Sequence, residues 1–154
     1  MAYWLFKSEP DAFGIDDLAA RPEQTEPWDG VRNYQARNFM RDDVKVGDKL
    51  FFYHSSCKDV GIAGVAEITQ AAYADPSQFN PESKYFDPKA SPDNPRWVCV
   101  NVTFVEKFKR VLPLAKIKTM PEITELGVVK KGHRLSIMPV QPEEWDALYQ
   151  AAKG

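Results

Sequence analysis

The sequence of 154 residues has the length of one ordinary domain, enough to bury a core without disulfides or metal. Hydrophobic residues make up 44% and charged residues 27%, proportions that argue against a disordered or membrane-spanning class. A formal net charge of -2 argues against a grip on nucleic acid through a global positive field, so any such binding must be local.

Met1-Ala2-Tyr3-Trp4-Leu5-Phe6 lacks the basic start and long apolar core of a signal peptide, and apolar runs such as Leu50 to Tyr53 are far short of a bilayer span. An intracellular protein is expected. Cys57 and Cys99 are two thiols in a domain that needs no bridge, and both are expected to be free.

Tyr3 to Lys7 opens as an aromatic and apolar strand, which Ser8-Glu9-Pro10-Asp11 breaks because proline cannot donate to a ladder. A short helix follows at Ile15 to Ala20, and Arg21 to Pro27, with two prolines, reads as a loop leading to Trp28. From Asn33 to Asp43 the pattern is helical. Ala36, Phe39 and Met40 share one side, with Tyr34, Arg37, Asn38 and Arg41 opposite; Asn33 is the expected N-cap and Gly47 the terminator.

Asp48 to Ser55 alternates as a strand with both faces largely buried, and Gly61 to Thr69 is its hairpin partner across the Ser56 to Val60 turn. Gly64, inside the second strand, signals a bulge or close approach by another group. Tyr73 to Pro95 holds five prolines amid Asp, Asn and Ser, the composition of a long excursion of functional or mobile character. Arg96 to Phe108 alternates most strongly and is expected to be the central strand. Short helical turns around Pro121, a short strand ending at Pro139, and a helix over Gln141 to Ala152 started by Pro142 complete the chain. Unequal strands with scattered short helices predict a small curved sheet or barrel of mixed α+β class.

Neither GxxxxGK[ST] nor GxGxxG occurs, so a glycine loop for phosphate has no support. His54-Ser55-Ser56-Cys57 gathers nucleophile chemistry in one segment, but a nucleophile needs a base and an orienter converging in space. His54, His133 and the two cysteines match no zinc spacing, and carboxylates such as Glu9, Asp29 and Asp87 form no obvious pair. No catalytic residue, metal or cofactor is assigned.

Trp28-Asp29-Gly30-Val31-Arg32-Asn33-Tyr34-Gln35-Ala36-Arg37-Asn38 differs, because it joins stacking surfaces to planar cationic donors, the chemistry that holds a base and its flanking phosphates. The bland alternative stays open: Arg37 and Asn38 on a solvated helix face near Asp42 and Asp43, Arg41 as an ordinary exposed arginine, and Trp28 as a core anchor. Tyr85-Phe86, inside a polar loop, requires either a core pocket or a ligand, and Lys130 to Arg134 is a small basic patch.

In order along nearly the whole chain, "YWLFKSEP" (3 to 10), "WDGVRNYQARN" (28 to 38), "FYHSSCKDVGIAG" (52 to 64), "YFDPK" (85 to 89), "NPRW" (94 to 97) and "GHRLSIMPV" (132 to 140) resemble the EVE domain family. Ser56 after "YHS" and His133 before "RLS" are conservative departures from commoner family forms. The resemblance implies one domain over residues 1–154 with a PUA-like curved β-sheet or pseudo-barrel and short helices around it. It also implies a reader of modified bases in DNA or RNA, C5-modified cytosine or methylated adenine among them, and relates the chain to YTH domains.

On that resemblance, Trp28 or Tyr34 stacks on a flipped base while Ser8, Glu9, Asn33 and Ser55 bond its edge. Leu135 and Ser136 line the pocket wall, and Lys7, Arg32, Arg37 and Arg134 meet phosphates. The expected partner is nucleic acid carrying a modified base, with neither membrane nor metal involved. Two other classes stay open: an enzyme on a modified nucleotide or nucleoside, with His54 or Glu9 suspected first, and a small-molecule or protein-interaction module.

Overall fold

The computed structural model describes residues 1–154. Its six strands, β1 (Tyr3–Ser8), β2 (Thr25–Pro27), β3 (Lys49–His54), β4 (Gly61–Ala74), β5 (Val98–Pro113) and β6 (Ile137–Val140), form one mixed sheet in the order β2-β5-β4-β3-β1-β6. Only β1 and β3 run parallel; every other pair is antiparallel. The class is α+β, as expected.

Alternation along the central strands sends side chains to two cores, one on each face. Trp4, Phe6, Leu50 and Phe52 enter one core, where α2 (Ile15–Ala20), after the single turn α1 (Pro10–Phe13), contributes Ile15 and Leu18, and α3 (Tyr34–Asn38) contributes Ala36. Leu5, Phe51 and Tyr53 enter the other, closed by Ile117 of α4 (Leu114–Ile117) and by Trp145 and Leu148 of α5 (Pro142–Lys153). The Trp145 indole stacks on Phe51 at 3.8 Å between ring centroids. At about 1.5–3 kcal/mol for each fully buried large apolar side chain, the two faces supply the main drive for folding.

The sheet curls. Bulges interrupt β3/β4 between Phe52 and Tyr53 and β4/β5 at four places, and each bulge bends its strand and increases the twist. Gly64 sits at one of them: a Cβ there would lie 2.4 Å from the Glu106 carbonyl oxygen and 3.0 Å from Ile15. As a result, the ends of β1 and β2, separated in the sheet by β3, β4 and β5, come to line one cavity.

Three boundaries differ from the sequence expectation. Thr25–Pro27 forms an edge strand rather than loop, short and ending at a proline, the place where an edge tolerates one. β4 runs on to Ala74 because irregular pairing of Gln70 and Tyr73 with β5 breaks the two-residue period that would have marked it. The strongly alternating β5 starts at Val98 and lies beside edge strand β2, so β4 and β3, not β5, are central. The helix expected over Asn33 to Asp43 is α3 followed by a wider turn over Phe39–Asp43, closed by the Val44 N–H on the Phe39 carbonyl. Its buried side, Ala36 and Met40, and its exposed Tyr34 fall as the periodicity required.

Candidate functional site

The cavity between the ends of β1 and β2 measures about 490 Å³. Lys7, Ser8 and Glu9 enter it because β1 ends there: Pro10 stops the strand, and the Glu9 carbonyl accepts the Ala12 and Phe13 N–H groups of α1. The Ser8 hydroxyl donates to the Phe13 carbonyl oxygen at 2.6 Å, which leaves its own lone pairs for an incoming donor.

Trp28 forms the apolar floor. Its backbone N–H continues the β2 ladder onto the Val100 carbonyl at 2.7 Å, and its ring meets Phe6, Phe13 and Phe52 edge-on at 5.4, 6.4 and 5.3 Å. It is 8% exposed, so core packing holds it and only a margin faces the cavity. Gly30 then turns the chain with φ +79°, and a Cβ there would lie 2.6 Å from the Tyr85 ring, which forms the facing wall.

Arg32 fastens the two walls together. Its five N–H donors are all engaged: Nε and Nη2 on the Tyr85 carbonyl at 3.1 and 2.8 Å, Nη2 also on Ser77 Oγ, and Nη1 on the Val31 carbonyl and on Asp75 at 3.2 Å. Asp75 is fully buried and also accepts the Gly30 N–H at 2.8 Å and both the N–H and hydroxyl of Ser77. One carboxylate thus ties the Gly30 turn, the Ser77 turn and Arg32.

The cavity mixes charges. Lys7 and Lys84 reach it from opposite walls, and neither has a carboxylate within 4.0 Å. Burial pushes the Lys7 ammonium below its ordinary value. Asp29, also in the lining, has its carboxyl pushed up by burial and then by the nearby charges of Asp75 and Glu26. An ammonium and a carboxyl whose charged forms are disfavoured share one cleft, the pattern typical of a functional site.

Six of the twelve residues expected from sequence line this cavity: Lys7, Ser8, Glu9, Trp28, Arg32 and Ser136. Asn33 lies outside and caps α3, its Oδ1 accepting the Ala36 N–H at 3.0 Å. Ser55 is joined to the site by backbone only, its N–H on the Ser8 carbonyl at 2.9 Å. Arg134 and Leu135 precede Ser136 on the segment that enters the lining. Tyr34 and Arg37 stand apart in a second aromatic cluster, with Tyr34 stacked on Trp97 at 4.7 Å.

Phe13, Asp29, Lys84 and Tyr85 line the cavity although they were not assigned to it from sequence. Tyr85-Phe86 had signalled a pocket or a ligand; only the Arg32–Asp75 linkage shows that Tyr85 belongs beside Gly30. His54, a suspected base, accepts the Ile15 N–H on Nε2 at 3.1 Å, and so holds the start of α2. Cys57 and Cys99 are free thiols, and burial pushes Cys99 up to about 11. No three His, Cys, Asp or Glu side chains converge in a metal-holding arrangement, and no helix is long and apolar enough to cross a membrane.

The EVE domain family matches residues 2–151. Thymocyte nuclear protein 1 from Homo sapiens is 45% identical over 161 aligned residues, covering 94% of this chain and 71% of the human one. A crystal structure of a Pseudomonas putida protein superposes with a TM-score of 0.94 at 52% identity, over 98% of this chain and 99% of that one. The human THYN1 protein, crystallised in complex with 5-methylcytosine-containing DNA, superposes with a TM-score of 0.93 at 42% identity, over 100% and 99% of the two chains. With its sequence and its whole fold matched end to end, this chain belongs to the EVE domain family.

Proposed function

We propose that the chain is a binding module that reads a modified base in nucleic acid by holding it, flipped from its strand, in the cavity beside Trp28. The observation that supports this most is the cavity itself, about 490 Å³ with an aromatic floor and a polar rim. It occurs in a fold whose human relative was crystallised with 5-methylcytosine-containing DNA. The volume falls within the range of about 300–1,000 Å³ usual for ligand pockets.

The parts suit a base. Tyr85 offers π surface on one wall, the exposed margin of Trp28 adds to it on the floor, and a C5-methyl group gains from an apolar wall. The acceptors of Ser8, Glu9 and Asp29 match the exocyclic amine that cytosine and adenine carry and thymine lacks. Lys7 and Lys84 at the rim meet the strand's phosphates, with Arg37 and Arg134 further out. Arg32, with all five donors engaged inside the protein, shapes the pocket rather than gripping phosphate.

Titration with matched DNA and RNA oligonucleotides bearing cytosine, 5-methylcytosine, adenine or N6-methyladenine tests the proposal. One modified base is expected to bind at least ten-fold more tightly than its unmodified parent; equal affinity across the set overturns it. Asp29 and Lys7, both perturbed by burial in one cleft, favour a second reading, acid–base catalysis on the bound base. Mass spectrometry of the oligonucleotides after incubation separates the two, since a reader returns them unchanged.

A further inference from the structure

Tyr34 is 48% exposed, unusual for a large aromatic side chain in this protein. Its ring lies on Trp97 at 4.7 Å and 25°, and Trp97 is rigidly placed. The Trp97 indole N–H donates to Asp87 at 2.8 Å, its backbone N–H donates to the buried Gln78 amide oxygen, and its carbonyl accepts from the Gln78 amide nitrogen. Tyr34 is therefore the outer plate of an ordered stack.

Two guanidinium groups flank that plate. Arg37 lies 4.7 Å from the Tyr34 centroid, and Arg96 donates to the Tyr34 hydroxyl. Arg96 has Asp87 at 3.7 Å, but Arg37 has no carboxylate within 4.0 Å: Asp42, the nearby candidate, pairs with Arg41. Arg37 is positioned by neutral acceptors alone, the Asn38 side-chain oxygen and the Arg96 carbonyl. It is an oriented cation without a counter-ion, in a chain of net charge -2.

The stack also leads to the cavity. The Arg32 guanidinium lies 5.2 Å from the Trp97 ring centroid and 5.5 Å from that of Tyr85, which lines the cavity wall. We infer that the Tyr34 plate is a second nucleotide subsite, stacking a base that flanks the flipped one while Arg37 takes its phosphate. The inference rests on the reader proposal for the cavity but assigns Tyr34 a separate task. It is outside the pocket, so it grips the strand without reading the modification.

The test compares wild type, Tyr34→Ala and Tyr34→Phe on two probes, 5-methyl-dCMP and a 5-methylcytosine oligonucleotide with 2-aminopurine next to the modified base. Wild type and Tyr34→Phe are expected to quench the 2-aminopurine and to bind the oligonucleotide about ten-fold or more tightly than Tyr34→Ala. All three are expected to bind the mononucleotide alike. Oligonucleotide affinity unchanged in Tyr34→Ala overturns the inference. So does equal weakening on both probes, which would put Tyr34 in the cavity. A wild type that binds the matching unmethylated oligonucleotide equally well removes the reader proposal, yet a Tyr34→Ala loss confined to the oligonucleotide still supports the plate.

Discussion

At Gly30 one wall of the cavity touches the other. The glycine's φ of +79° is left-handed, and the Tyr85 ring occupies the space a Cβ would need. Gly30→Ala is therefore expected to lose about 1–2 kcal/mol in denaturant titrations from backbone strain alone. It should also bind less tightly, because Tyr85 must move. Trp28 is a harder target. Since it packs against Phe6, Phe13 and Phe52, Trp28→Ala is expected to cost about 3–5 kcal/mol of stability along with any binding loss. Trp28→Phe, which keeps a ring on the floor, is the better probe of stacking, and its affinity should fall less than its truncation to alanine would cause. At this scale the residue types were legible in the sequence, but their tasks were not: Arg32, Arg37 and Arg41 look alike in a string, and only their partners separate a wall fastener, a free cation and a surface pair.

Two elements depend on single side chains. The loop from Asp75 to Trp97 is held to the Gly30 turn by Arg32 and the fully buried Asp75. Removing the guanidinium leaves a buried carboxylate uncompensated, so Arg32→Ala is expected to lose about 3–5 kcal/mol. Hydrogen exchange should show the loop losing protection first. The start of α2 depends on His54, whose Nε2 accepts the Ile15 N–H and must stay unprotonated to do so. Burial holds this imidazole below the ordinary 6.5; the charge of Asp16 opposes that shift, Lys107 adds to it, and Asp17 opposes it least. The folded state thus disfavours the proton that the unfolded chain accepts, so stability is full above about pH 6.5 and falls as pH drops through and below it. Thermal melts from pH 7.5 to 5 are expected to show that fall, and a shallower one in His54→Gln, whose amide oxygen accepts at any pH. His133, also lowered by burial, adds to the same trend. Elements with intact periods, such as β3 and α5, were readable from sequence; β2 and the outer half of β4 were not, because bulges and brevity erase the period.

At the scale of the whole molecule, a chain of net charge -2 binds a polyanion only through a local group of cations. Lys7, Lys84 and Arg37 are those without a carboxylate within 4.0 Å that line the cavity or flank the Tyr34 plate, with Arg134 further out. About three phosphate contacts imply a slope of log K against log salt near roughly -2 for a single strand. Affinities measured from 50 to 300 mM salt should show that modest slope, and Arg37→Gln should reduce it by about 0.7. A salt-independent affinity would instead favour a small-molecule or protein ligand. By itself the sequence determined the α+β class, the two-faced core strands, the Asn33 cap, and the family, because these depend on neighbours along the chain and on motifs kept in order. Only the tertiary structure decided that β1 and β2 meet across a curled sheet, that Tyr85 faces Gly30, and that Trp28 and Tyr34 belong to different stacks. Those pairings join residues dozens of positions apart through a buried carboxylate and a set of bulges, and a linear pattern carries no record of which distant partner a buried charge will choose.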